Sequence, residues 1–179
     1  MVVGVLALQG DFEAHCKLLQ GLGAEVREVR VPAELDGLDG LVMPGGESTT
    51  MTLGIQREGL GDPLRAFVAS GKPVLGTCAG MIMLDREHLG CMDTLCVRNA
   101  FGRQIRSFEF ELELPEIEGP MTAVFIRAPW LAEWGDGVEI LAEIDGHPVA
   151  ARQDNMLVIA FHPEISGETR IHQLFLDSL

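Results

Sequence analysis

The first half of the chain repeats one pattern, and this pattern constrains the fold more than any other feature of the sequence. Short apolar runs alternate with segments of helical spacing: we expect strands at residues 2–8, 24–31, 38–43 and 74–76, and helices at 11–22, 48–58 and 63–69. Ser48 or Thr49 can cap the second helix, and Pro63 can open the third. Strands that alternate with helices predict a parallel sheet with right-handed crossovers.

The second half has weaker helical periodicity and more strand-like segments. We expect strands at residues 108–114, 121–126, 138–144, 149–152 and 157–161, and a terminal helix at 169–179. Strands that follow one another without helices between them favour an antiparallel extension of the sheet. The predicted fold is therefore α/β, a single domain over residues 1–179, arranged as a three-layer sandwich whose mostly parallel central sheet has helices on both faces.

Composition excludes several classes of function. The formal net charge of −14 makes this surface unsuited to nucleic acid or to an anionic membrane. No apolar run approaches the roughly eighteen residues of a membrane span, and the first residues lack the basic region of a signal peptide, so we expect a cytoplasmic protein. The four cysteines form no CxxC pair and the histidines are not at zinc spacing, so we expect free thiols, no metal and no cofactor.

Cys78 is the candidate nucleophile. The segment Gly76-Thr77-Cys78-Ala79-Gly80 follows an apolar strand and precedes a helical stretch, as in the nucleophile elbow of α/β hydrolases with cysteine in place of serine. Such a turn holds the sulfur at a helix N-terminus, where the dipole and free N–H groups favour the thiolate. The alternative is a small buried hydrophobic residue, which is the better interpretation of Cys16.

His162 and Glu164 are the candidate base and its partner. They lie in the sequence His162-Pro163-Glu164, directly after the apolar run 157–161. Proline favours extended geometry in the residue before it, and residues i and i+2 of an extended segment project to the same side. The pattern predicts a Cys-His-Glu triad in which Glu164 orients the imidazole. We expect surface or helix roles for the other histidines, His15, His88, His147 and His172.

A glycine-rich turn completes the predicted site. Gly45 and Gly46 follow the third strand, and the N–H of Gly46 together with that of Ala79 can form an oxyanion hole. The alternative is a plain glycine turn in which Ser48 caps the next helix. All these segments follow parallel strands, so they are expected at the carboxyl edge of the sheet, where open α/β folds place their sites.

Five motifs carry a resemblance to a known family: PGGEST, GTCAGM, RNAFGRQ, FIRAP and FHPE, in this order and over nearly the whole chain. Together they resemble the triad (class I) glutamine amidotransferases and, among them, the glutaminase subunits of pyridoxal 5′-phosphate synthase. The resemblance implies a class I glutamine amidotransferase-like, flavodoxin-like fold. It also implies hydrolysis of L-glutamine through a glutamyl thioester on Cys78, with ammonia passed to a separate synthase (lyase) subunit for vitamin B6 biosynthesis.

The same resemblance implies the residues that contact L-glutamine: Gly46, Glu47, Ser48, Arg103, Ile126 and Arg127. An arginine suits this task because a guanidinium can bind the carboxylate of an amino acid with two hydrogen bonds. The alternative for Arg103 and Arg127 is a surface ion pair, which is common in an acidic chain. Residues 91–98 depart from the family pattern, because they include the additional thiols Cys91 and Cys96.

Other functions remain open at this point. The chain could serve another synthase, such as the imidazole glycerol phosphate enzyme, although RNAFGRQ argues against it. It could be a non-catalytic module that only senses glutamine, although an intact triad disfavours this. It could also be a stand-alone cysteine hydrolase acting on peptides, which would need no partner. Glu109 and Glu111 resemble paired acid-base carboxylates, but a solvated strand face is the better interpretation.

Overall fold

The computed structural model describes residues 1–102 and 107–179 of the chain. Its strands are β1 (Val2–Leu6), β2 (Glu25–Val29), β3 (Gly40–Met43), β4 (Val74–Thr77), β5 (Thr94–Val97), β6 (Ser107–Leu112), β7 (Met121–Ile126), β8 (Trp130–Trp134), β9 (Glu139–Ile144), β10 (His147–Gln153) and β11 (Met156–Ile159). Its helices are α1 (Phe12–Gly21), α2 (Ser48–Arg57), α3 (Gly61–Ala69), α4 (Ala79–Leu84), α5 (Pro163–Ser166) and α6 (Arg170–Asp177), with a short 3₁₀ turn at Pro32–Leu35.

A seven-stranded sheet in the order β2-β1-β3-β4-β11-β10-β9 forms the centre of the molecule. The first five of these strands run parallel, and β10 and β9 are antiparallel to their neighbours. The predicted mostly parallel sheet with an antiparallel extension is therefore confirmed. Strands β3, β4 and β11 are buried along their whole length, which explains why their sequences are continuous apolar runs.

The strand order also places the helices in two layers. From β1 the chain moves to one edge through α1 and β2, whereas β3 leads through α2 and α3 to β4 in the opposite direction. Since crossovers between parallel strands are right-handed as a rule, this order puts α1 on one face of the sheet and α2 and α3 on the other. Helix α2 packs against α4, and α1 packs against α5. The structure is a three-layer sandwich, as expected.

The second half differs from the expectation in detail. Among the described residues of this half, β9, β10 and β11 extend the main sheet, while β6 pairs with β7 and β5 with β8 in two separate two-stranded sheets. Strands β5 and β8 are not among those expected from the sequence. Their ladder is short and contains a register shift between Leu95 and Cys96, so neither strand shows a clean alternation of apolar and polar residues.

Two helix starts also differ from the expectation. The N-cap of α2 is Glu47, not Ser48 or Thr49, because the Glu47 carboxylate accepts hydrogen bonds from the backbone N–H groups of Thr49 and Thr50. Helix α3 begins at Gly61 rather than at Pro63, which lies within its first turn. Within the described ranges, none of the helices has the length and apolar character needed to cross a membrane.

Candidate active site

Cys78 lies between β4 and α4 in a backbone conformation that is rare for a residue with a side chain. Its φ of 48° and ψ of −103° make it the N-cap of α4, and its N–H donates to the carbonyl of Ile159 at 2.8 Å. A non-glycine residue at positive φ is strained, and such strain is concentrated at functional sites. The elbow predicted from the sequence is therefore present in the structure.

The two glycines of this segment are required by close backbone contacts. A Cβ atom built on Gly76 would lie 2.9 Å from the carbonyl carbon of Gly80, and one on Gly80 would lie 1.9 Å from the carbonyl oxygen of Met43. Neither position has space for a side chain. The glycines thus allow the turn that places Cys78 at the carboxyl edge of the sheet.

His162 and Glu164 form a short buried hydrogen bond. The imidazole Nδ1 lies 2.7 Å from Oε1 of Glu164, and both side chains are almost fully buried. The geometry differs from the expected extended segment, because Pro163 begins α5 and Glu164 lies in its first turn. The contact is nevertheless made, since His162 has a non-helical φ of −112° and ψ of 86° at the N-cap.

The environment of His162 favours its protonated form. Burial disfavours the charged ring, but the interactions of the ring with Cys78 and Glu164 outweigh this penalty and raise the pKa of His162 to about 10. The second ring nitrogen, Nε2, is buried and makes no well-formed hydrogen bond within the described part of the chain. It is thus the nitrogen that remains for exchange of a proton with the thiol.

The glycine turn after β3 packs directly against these residues. A Cβ atom on Gly45 would lie 2.5 Å from Cε1 of His162 and 3.4 Å from Cβ of Cys78. Gly46 has a φ of 147°, which side chains rarely permit. The amide oxygen of Gln9 accepts a hydrogen bond from the N–H of Glu47 at 2.7 Å. The loops after β1 and β3 therefore contact each other beside the candidate triad.

The other predicted glutamine contacts lie around this centre. Ser48 is buried at the start of α2, and the carbonyl oxygen of Ile126 lies 4.0 Å from Sγ of Cys78. Arg127 follows with a positive φ of 45° and makes no salt bridge with any described residue, contrary to the surface ion pair considered above. Arg103 lies outside the described residues.

Glu47 is held by a set of donors rather than directed freely into solvent. Its carboxylate accepts from Thr49 and Thr50 and pairs with Nη2 of Arg98 at 3.1 Å. The hydrogen bonds from Thr49 and Thr50 lower the pKa of Glu47 to about 2. The carboxylate is therefore ionised and fixed at the mouth of the site. The role of Arg98 was missed, although it is the first residue of the RNAFGRQ motif.

One group of side chains has the spacing of metal ligands. Asp11, His162 and Glu164 each offer an atom, and these atoms lie within 4.8 Å of one another. The Nδ1 atom of His162 is already engaged by Glu164, and Nε2 is the atom left for Cys78. This arrangement suits transfer of a proton better than coordination of an ion.

Two histidines for which the sequence predicted surface or helix roles are neither exposed nor remote. His15 on α1 and His172 on α6 are both completely buried, and His15 lies next to Glu164. A signal was present, because His15 occurs at helical spacing between the apolar Phe12 and Leu19, on the stripe that faces the core. The other two make different contacts: His88 bonds Asp85, and His147 stacks on Trp130.

Comparison with known proteins gives one consistent family. A family model described as the SNO glutamine amidotransferase family matches residues 5–179. A protein of Mycobacteroides abscessus named pyridoxal 5′-phosphate synthase subunit PdxT is 52% identical over 98% of this chain and 96% of its own length.

Solved structures agree with this result. A structure described as a glutamine amidotransferase is 44% identical, has a TM-score of 0.92 and covers 99% of this chain and 98% of its own. The structure of PurLQS from Thermotoga maritima has a TM-score of 0.77 at 16% identity, with 98% of this chain and 97% of its own covered. This second likeness concerns the fold alone.

Proposed function

The chain belongs to the SNO glutamine amidotransferase family, and we propose that it is the glutaminase subunit of a pyridoxal 5′-phosphate synthase. Relatives named as that subunit match it at about half identity over nearly their full lengths. In this function the chain hydrolyses L-glutamine to L-glutamate and ammonia. The observation that supports the chemistry best is the strained Cys78 beside the buried His162–Glu164 pair.

We derive the reaction from the arrangement of these three residues. The sulfur of Cys78 attacks the side-chain amide carbon of glutamine, and the tetrahedral oxyanion is held by backbone N–H groups, for which Gly46 and Ala79 are the candidates. His162 gives its proton to the departing nitrogen, so that ammonia leaves and a glutamyl thioester remains. His162 then takes a proton from water, which attacks the thioester and releases glutamate and the thiol. Glu164 fixes the tautomer of His162 throughout.

The substrate is recognised by its charged amino-acid end. Arg103 and Arg127 are the candidate partners of its carboxylate, and the ionised Glu47 is placed to attract its ammonium group. Gly46, Ser48 and Ile126 would supply the remaining contacts near Cys78. A peptide substrate would present neither free end here, which is why we favour a free amino acid over the peptidase alternative.

The ammonia has to reach a second active site, because neutral ammonia released into water is lost by dilution and protonation. We therefore propose a heteromeric complex in which a synthase subunit receives the ammonia. The net charge of −14 suits a docking partner with a basic surface. The names of the relatives favour this partner over the imidazole glycerol phosphate enzyme.

The test is the release of ammonia from glutamine by the complex with the synthase subunit. Cys78→Ala removes the only group that can form the thioester, so we expect activity to be lost while the fold and the complex remain. The matched control is Cys91→Ala, which removes a half-buried thiol that lies outside the elbow. Loss of activity in the control, or more than a trace of activity in Cys78→Ala, would contradict the proposal.

A further inference from the structure

A second hydrogen-bonding group lies behind the candidate triad, on the face of the sheet where α1 packs. Nδ1 of His15 lies 2.8 Å from Nε2 of His172, although the two residues are 157 positions apart in sequence. Nε2 of His15 lies 3.3 Å from Oε2 of Glu164. It also lies 3.3 Å from the hydroxyl of Thr77, the residue before Cys78. The two buried histidines therefore connect α6 and α1 to the back of the triad.

Burial favours the neutral form of both rings in the folded protein. Burial lowers the pKa of His15 well below its ordinary value, and the neighbouring His172 and His162 lower it further. Burial likewise lowers the pKa of His172 to about 4. A neutral imidazole carries one N–H donor and one acceptor nitrogen, so each ring can donate in one direction only.

The Glu164 carboxylate determines which nitrogen of His15 carries the proton. Glu164 uses Oε1 to bind His162, while Oε2 is buried and makes no well-formed hydrogen bond with any described residue. Leaving a charged buried oxygen without a donor is costly, and the ring nitrogen of His15 is the group placed to supply one. The proton of His15 therefore belongs on Nε2, where it faces Oε2 and is shared with the hydroxyl of Thr77.

The tautomer of His172 follows. With its proton on Nε2, His15 has a lone pair on Nδ1, and this lone pair accepts the N–H at Nε2 of His172. The donors then all point the same way, from His172 to His15 and from His15 to Glu164. Asp11 also lies close to Glu164, and as a carboxylate it cannot take the place of the donor.

We propose that His15 is a positioning residue of the triad, which holds the second oxygen of Glu164, and that His172 fixes the tautomer in which His15 can do so. This proposal rests on the proposed function, because it assigns a role within that triad. Held at both oxygens, the Glu164 carboxylate cannot rotate away from His162. The imidazole then keeps its proton on Nδ1 and its Nε2 towards Cys78.

A simple packing role would have different requirements. If the two rings only filled space between α1 and α6, an apolar side chain of similar volume would serve as well and would avoid the cost of burying polar nitrogens. The distinction between the two roles lies in the N–H at Nε2 of His15. Replacing this donor while retaining the volume separates them.

The experiment compares His15→Leu, which removes the donor, with His15→Gln, whose amide can place an N–H close to the position of Nε2. The matched control is Cys16→Ala, because Cys16 is the neighbouring buried residue on α1 and, among the described residues, forms no hydrogen bond or ion pair with Glu164. Ammonia release by the complex gives kcat and KM. The rate of Cys78 alkylation by iodoacetamide in the isolated chain, measured against pH, reports on the triad without substrate.

We expect His15→Leu to lower kcat by about 10- to 100-fold, as loss of an outer hydrogen-bonding partner does elsewhere, with little change in KM. The alkylation profile should shift along the pH axis, because the pair of Glu164 with His162 is weakened. His15→Gln should restore most of both properties, and Cys16→Ala should leave both close to those of the wild type.

A folded His15→Leu with wild-type kcat and alkylation profile would overturn the proposal, as would equal losses in His15→Leu and His15→Gln. If His15→Leu does not fold, His15→Gln and His172→Leu decide, because the proposal requires the first to be the more active of the two. Absence of ammonia release by the wild-type complex would instead count against the proposed function, and the alkylation profiles would still test His15.

Discussion

The backbone conformation of Cys78 is strained, and only the catalytic role of its side chain explains why this strain is kept. A residue with a Cβ atom at φ 48° and ψ −103° stores strain on the order of 1–3 kcal/mol. The surrounding backbone maintains this conformation, since the N–H of Cys78 is bound to Ile159 and the flanking glycines admit close contacts on both sides. Any residue with a Cβ atom at this position should be strained to the same extent, whether or not its side chain is a nucleophile.

We therefore expect Cys78→Gly to be more stable than Cys78→Ala. Glycine adopts positive φ freely, and the relief of strain exceeds the extra entropy that glycine gains in the unfolded chain, for a net difference of about 1 kcal/mol. Equilibrium denaturation of the two variants measures this difference. Equal stabilities would mean that the elbow relaxes when the sulfur is removed. The control is Cys96→Gly against Cys96→Ala, in the strand β5, where glycine should be the less stable.

The residues proposed for the triad carry local sequence signals, whereas the residues that support them do not. Local patterns identify both Cys78 and Glu164. Cys78 follows a strand and lies between two glycines, and Glu164 directly follows a proline. His15 and His172 carry no such pattern. Their contact depends on how α1 and α6 pack on the sheet, which sequence spacing does not determine. Glu47 is a comparable case. The sequence offers Ser48 and Thr49 as caps of α2 as well, and only the conformation of the folded turn determines that Glu47 is the cap.

At the scale of elements, close approach of backbones explains which glycines matter. A Cβ atom on Gly80 would lie 1.9 Å from the carbonyl oxygen of Met43, so α4 packs onto the end of β3 with no space for a side chain. Gly21, at the end of α1, has no atom within 4 Å of such a Cβ and has no positive φ. The two residues therefore form a matched pair.

We expect Gly80→Ala to destabilise the protein by several kcal/mol, on the order of severe core substitutions, because a backbone oxygen cannot move aside cheaply. Gly21→Ala should be neutral or stabilise it by up to about 1 kcal/mol, since alanine favours the helix. Thermal unfolding of both variants provides the comparison. Similar stabilities would show that α4 can shift away from β3, in contradiction to this close packing.

The contact between the loops at the ends of β1 and β3 offers a physical basis for a switch of the site. A Cβ atom on Gly10 would lie 1.8 Å from the carbonyl oxygen of Gly45, and Gln9 accepts from the N–H of Glu47. A peptide between glycines can flip at little steric cost and so add or withdraw an oxyanion donor. A partner that presses on the first loop would thus act on the second.

We expect the isolated chain to be a poor glutaminase that becomes active when it binds the synthase subunit. The loss of one oxyanion donor costs about 10²- to 10³-fold in kcat, which is enough for such a switch. Ammonia release at saturating glutamine should rise when a stoichiometric amount of the synthase subunit is added, and Gln9→Ala should reduce this rise. The control is Gln20→Ala, on the exposed side of α1. Equal kcat values with and without the synthase would contradict the switch.

Elements with a strong, continuous apolar signal were the easiest to predict, and irregular ones the hardest. The parallel strands β3, β4 and β11 are apolar along their whole length, because both of their faces are covered. Strand β8 is exposed over most of its length and pairs with β5 through a bulge, so its sequence does not alternate between buried and exposed residues. The two separate ladders depend on pairing between distant segments, which no local signal records.

For the whole molecule, the buried histidines determine how stability depends on pH. The folded pKa of His162 is raised from 6.5 to about 10, so the stability that its charge contributes is complete below pH 6.5 and is lost as pH rises towards 10. The folded pKa of His172 is lowered from 6.5 to about 4, so the unfolded chain takes up a proton first and stability falls as pH drops from 6.5 towards 4. The stability contributed by these two histidines is therefore complete only near pH 6.5.

We therefore expect the free energy of unfolding to be greatest near pH 6.5, with slopes of at most about 1.4 kcal/mol per pH unit for each histidine on either side. Between about pH 5 and 8 the titration of the buried histidines is separated from that of the other groups. Burial raises the pKa of Cys16 from 9.0 to about 11, so that thiol acts only at higher pH, and the chain has no tyrosine. Denaturation at constant ionic strength at about pH 5, 6.5 and 8 measures the profile. His172→Leu should reduce the slope on the acid side, to which His15 also contributes because burial lowers its pKa, and His162→Gln should flatten the alkaline side. A variant that flattens the opposite side would reverse these assignments.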